Sequence, residues 1–181
     1  EAERKVKTVV DELRRIVDEL AKELEESLKR TDETIKRLAR ELERVDRELE
    51  EIIKELERKG LSEEEVRKLR ETLKKLHEEN RRVIEELERE VRESEETLRR
   101  VIEEIKKRLE DLRRKLDKLA KDGRVDDEVV RKVEEEAERI KKRIKDLVRR
   151  DEKLVEDMRR RIKRLVEKNR KVAEKMRTDT D

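Results

Sequence analysis

The sequence predicts an all-α fold: a long antiparallel up-down-up three-helix bundle, coiled-coil-like, with nearly straight helices. Three observations carry this. Of the 181 residues, 61% are Asp, Glu, Lys or Arg. Leu, Ile and Val recur at alternating steps of three and four, the spacing of a narrow helical seam. The two glycines, Gly60 and Gly123, fall between the periodic stretches, where helices must end. Half or more of a chain in Ala, Glu, Lys, Leu and Arg with this period signals long helices.

The first helix is expected over about 2–59. Its seam reads Val10, Leu13, Val17, Leu20, Leu24, Leu28, Thr31, Ile35, Leu38, Leu42, Val45, Leu49, Ile52 and Leu56. Gly60 supplies the left-handed residue after its last turn, and Leu61 can fold back on that turn. Ser62 and Glu65 then have the capping-box spacing that opens a second helix over about 63–121. Gly123 ends the second helix in the same way. Asp126 is the expected N-cap of a third helix over about 127–177, with Val125 and Val130 spaced as a hydrophobic staple. Connections this short force antiparallel neighbours.

The heptads break at four places by consecutive steps of four: Leu20-Leu24-Leu28, Val83-Leu87-Val91, Val101-Ile105-Leu109 and Leu154-Met158-Ile162. Such insertions unwind a left-handed supercoil, so the helices are expected to run nearly straight for about 75–90 Å. Ala39, Ile53, Ile84, Ile102, Ala120, Val148, Val155, Val166 and Ala173 flank the seam at one heptad position. They widen the buried stripe, which favours a monomer, while self-association through that shoulder remains open.

Composition bounds the class. With 31% hydrophobic residues and many charges the chain approaches the composition of disordered proteins. A net charge of only +2 and strict apolar periodicity point instead to a slender bundle, a single domain over 1–181. There is no Cys for a disulfide or thiolate site, no apolar stretch long enough to span a membrane, and no targeting segment from which to assign a compartment beyond cytoplasmic recombinant expression.

The chain lacks Phe, Tyr, Trp, Cys, Pro and Gln altogether. With Gly-centred loops, a capping box and sparing polar residues on an apolar seam, it resembles de novo designed helical bundles with buried hydrogen-bond networks. Spectrin-type repeats are also three-helix coils, but they rely on core Trp. The resemblance covers the whole length and implies a structural scaffold without catalysis.

The polar exceptions on the seam are the candidate site. If Leu56 meets Val66 and Leu119 meets Val129 across the turns, residue 94 lies near 28 and 154, and residue 97 near 25 and 151. Ser27, Thr31, Thr34, Ser94, Thr97 and Asp151 then converge as a buried polar network. The same register brings His77 and Asn80 toward Asn169 as a second polar layer. Buried polar groups left without partners cost about 1–3 kcal/mol, so such layers disfavour slipped registers. No basic residue occupies the seam, which leaves hydroxyls as the expected donors to Asp151.

No catalytic, cofactor-binding or metal-binding residue is expected. Lys74, three residues before His77, does not fit a Glu-x-x-His di-metal motif. A hydrolase triad needs a His beside the hydroxyl, yet His77 lies 17 residues from Ser94, about 25 Å along a helix. No Gly-rich loop is present to cradle phosphate. Residues 139–177 hold 18 Lys or Arg against 7 Asp or Glu. Residues 126–138 carry seven acids and two bases, so this charge gradient follows the helix macrodipole. No aromatic is available for base stacking, and the apolar stripe is too narrow for a lipid-binding face. Glu95-Arg99, Glu96-Arg100, Glu104-Arg108, Glu110-Arg114 and Asp111-Lys115 are expected as surface pairs.

The function read from the sequence is therefore a non-enzymatic, soluble scaffold with no required partner, cofactor, specific nucleic acid or membrane. The alternative is an interaction protein: a subunit of a homo- or hetero-oligomer with a designed helical partner, or a conformational switch.

Overall fold

The computed structural model describes residues 1–178, which form three helices: α1 (Ala2–Arg58), α2 (Glu63–Lys121) and α3 (Asp127–Thr178). No strand occurs among the described residues. Each helix ends within a residue of its expected bounds, because each end is fixed by local chemistry.

Both turns are Schellman-type ends. Gly60 has φ +98° and Gly123 has φ +66°, a region costly for residues with a Cβ. Leu61 N–H donates to the Leu56 carbonyl at 3.1 Å, and Arg124 N–H to that of Leu119 at 2.9 Å. These bonds satisfy carbonyls that the helix ends leave open. At the next helix starts, the Ser62 hydroxyl accepts from Glu65 N–H at 3.3 Å, and the Asp126 carboxylate accepts from Val129 N–H at 3.0 Å. Glu3, Glu63–Glu65, Asp127 and Glu128 lie in first turns, while Arg58, Lys118, Lys121, Lys175 and Arg177 lie in last turns. Each sign complements the helix dipole.

The residue contacts divide the chain into two compact units. One comprises Glu1–Lys29 with Glu93–Leu154; the other comprises Arg30–Arg92 with the described residues from Val155 onward. All three helices contribute to both.

In the first unit, Val6, Val10, Leu116 and Val133 form a buried cluster, with Val125 and Val129 packed against it. In the second, Leu49, Ile53, Val66, Leu73, Leu76 and Met176 form one cluster, and Leu38, Leu42 and Leu165 another. Burying each such side chain contributes about 1.5–3 kcal/mol, against about 0.2–0.5 kcal/mol for a helix surface ion pair. The seam, not the charge lattice, sets stability.

At two places the residue flanking the seam is buried more deeply than its seam neighbour, although Ile52 still packs against the core cluster. Ile53 (1% exposed) and Ile102 (8%) are buried, whereas their neighbours Ile52 and Val101, placed on the seam from sequence, are only half-buried. A helix drifts against a 3.5-residue repeat, which turns the flanking residue further into the core there. At the four expected heptad breaks the middle residues, Leu24, Leu87, Ile105 and Met158, are all buried. Steps of four return the drifting seam to the core.

The surface pairs also differ from expectation. Glu104 pairs with Arg143 of α3 at 2.7 Å and Glu110 with Arg14 of α1 at 3.1 Å, rather than along α2. Beside the seam an adjacent helix brings a guanidinium as near as the next turn does.

Candidate functional site

Within the first unit, one polar contact joins α1 to α3. The Ser27 hydroxyl donates to Asp151 Oδ2 at 2.9 Å. Both side chains are half-buried. Asp151 occupies a core-facing position between Leu147 and Leu154, so its second oxygen is turned inward. That Oδ1 is shielded from solvent and has no hydrogen-bond partner among the described residues. Burial pushes the Asp151 carboxyl above its ordinary value of 3.8; the Ser27 hydrogen bond opposes this, and the neighbouring Glu152 carboxylate adds a smaller upward push. Desolvation outweighs the single donated bond.

Of the other hydroxyls in the expected network, those of Thr97 and Thr34 are committed within their own helices. Thr97 donates to the Glu93 carbonyl one turn back at 2.9 Å. Ser94 is half-buried and forms no hydrogen bond among the described residues. Thr31 and Thr34 belong to the second unit. Thr31 is buried there at 8% exposure, and Thr34 is exposed and donates to the Arg30 carbonyl at 2.8 Å. Thr8 and Thr72 bond their own helix in the same manner. A helical Thr has an acceptor four residues back at no cost in register, which wins over a longer reach across the bundle.

Within the second unit, Asn80 of α2 and Asn169 of α3 form a reciprocal amide pair. Asn80 Nδ2 donates to Asn169 Oδ1, and Asn169 Nδ2 to Asn80 Oδ1, both at 2.8 Å. Asn169 Nδ2 also donates to the Leu165 carbonyl at 2.8 Å. The side chains are 5% and 2% exposed. Each amide thus supplies both a donor and an acceptor to the other, the pairing a buried carboxamide requires.

His77 lies outside that pair, contrary to the expected three-residue layer. It is exposed, and its Nδ1 sits 3.0 Å from Asp46 Oδ2 of α1. Three residues before Asn80, it falls on the flank of α2 that turns toward α1 rather than α3. The sequence reading missed a second feature on α3. Arg161, 24% exposed, pairs with Glu90, with Glu86 at 3.3 Å and with Asp157 at 3.8 Å. Its position next to Ile162 on the seam edge was the available signal.

Among the described residues, no group of three or more His, Asp or Glu is gathered to hold a metal ion, and no helix is long and apolar enough to cross a membrane. No protein-family model, curated protein or solved structure matches the chain.

Proposed function

We propose that the chain is a de novo designed structural scaffold without enzymatic activity, an up-down-up bundle in which sparse buried polar contacts specify helix register. The Asn80–Asn169 pair carries this reading. Two amides exchanging two hydrogen bonds in an apolar core match only in one register, and a slip would leave three polar groups unpaired at about 1–3 kcal/mol each, Asn169 Nδ2 keeping its bond to the Leu165 carbonyl. Ion pairs support the antiparallel path. In the first unit Arg14 meets Glu110 and Asp18 meets Lys106, so numbering rises by four in α1 as it falls by four in α2. In the second unit Glu79 meets Lys168 and Glu86 meets Arg161, rising by seven in α2 while falling by seven in α3.

No large hydrophobic side chain is exposed among the described residues, which supports a scaffold that functions as a single chain. Light scattering at two concentrations tests this. A mass near 22.2 kDa at both is expected. A stable multiple would favour the reading as an oligomer subunit.

A further inference from the structure

We propose that the second unit carries a binding site for a single-chain amphiphile with an anionic head, such as a medium-chain carboxylate. The site is a cavity of about 580 Å³ between the α1–α2 turn and the last turns of α3. That volume falls in the usual range for small-molecule sites, about 300–1,000 Å³. Its floor is apolar: Leu56, Leu61, Leu69, Val172 and Met176. Leu56 and Met176 are buried, whereas Leu61, Leu69 and Val172 are half-buried, so the floor is incompletely covered. An alkyl chain laid there removes water from surface the protein does not itself cover, and the unbranched Met176 side chain can adjust to it.

The rim selects the head group. Lys68 and Lys175 both line the cavity, and neither forms an ion pair among the described residues. The one carboxylate of the lining is Glu65, leaving the rim net positive. The Thr72 hydroxyl is already committed to the Lys68 carbonyl at 3.0 Å, so the ammonium groups are the available donors. In the first unit, a smaller cavity of about 300 Å³ offers a contrast. Its rim balances Glu3, Asp11 and Asp117 against Lys7, Arg14 and Arg113, which gives a charged head of either sign no advantage.

The test is an NMR titration of the full chain with hexanoate, octanoate and decanoate below their micelle concentrations, and with decyltrimethylammonium as the cationic counterpart. Saturable binding is expected, with shifts confined to the α1–α2 turn, the start of α2 and the end of α3. Affinity should rise about fourfold per added methylene. Lys68→Ala combined with Lys175→Ala should weaken decanoate about fivefold to tenfold while leaving helicity unchanged, since both side chains are exposed. No saturable binding, shifts spread along the chain, equal affinity for the cation, or an unaffected double variant would each overturn the proposal. None of these outcomes bears on the scaffold reading, which rests on Asn80 and Asn169.

Discussion

Ser27 and Asp151 share one hydrogen bond, and the carboxylate oxygen that Ser27 does not reach is buried without a partner. The raised pKa of Asp151 means that the folded chain holds this proton more tightly than the unfolded chain does. Asp151 therefore contributes most to stability when protonated, below its ordinary value of 3.8. The contribution is lost as pH rises through the higher folded-state value. Asp151→Leu removes this dependence and places an apolar residue between Leu147 and Leu154. At pH 7 the variant should be more stable by about 1 kcal/mol, at the low end of the cost of an unsatisfied buried group because the site is half-buried. Near pH 3 the gain should shrink or vanish. Urea unfolding of both proteins at the two pH values measures the difference; a gain larger at pH 3 would reverse the sign of this account.

The two glycine turns should respond alike to alanine and unequally to asparagine. A Cβ at either position would meet nothing within 4 Å, so the penalty is backbone strain alone. Gly60→Ala and Gly123→Ala should each lower stability by about 1 kcal/mol, the strain of a left-handed alanine partly offset by a less flexible unfolded chain. Asn tolerates the left-handed region. Gly123→Asn should thus cost less than Gly60→Asn, because φ +66° lies nearer that well than φ +98° does. Denaturant midpoints of the four variants decide the order.

His77 should be nearly dispensable. Its contact with Asp46 is open to solvent, with side chains 53% and 28% exposed, and such surface contacts contribute about 0–1 kcal/mol. His77→Ala should change stability by less than about 0.5 kcal/mol and leave the side-chain amide resonances of Asn80 and Asn169 in place. A larger loss, or displacement of those resonances, would return His77 to the polar layer.

The parts of this structure most legible in the sequence are those set by local chemistry or one-dimensional register. Gly60, Ser62, Gly123 and Asp126 act through neighbours within six residues, so their roles follow from spacing. Asn80 and Asn169 are core-facing on adjacent helices, and counting outward from the Gly123 turn brings them level. His77 and the hydroxyls were harder. Register says which residues are level, but not toward which of two neighbours a flanking side chain turns. His77 faces α1 for that reason. Thr34 and Thr97 had a rival acceptor in their own helices, and sequence could have flagged it. The division of contacts into two units depends on summed packing that no single motif encodes.

Coupling between Asn80 and Asn169 decides whether the buried amide pair specifies this fold. Asn80→Leu, Asn169→Leu and the double variant form a cycle readable by urea unfolding. Asn169→Leu strands the whole Asn80 amide and should cost about 2–3 kcal/mol. Asn80→Leu should cost less, since Asn169 keeps its bond to the Leu165 carbonyl. The double variant should be less destabilised than either single variant, with extra NMR signals from slipped registers. Single losses that simply add in the double variant, with one undisturbed set of signals, would contradict the claim that this pair holds the register.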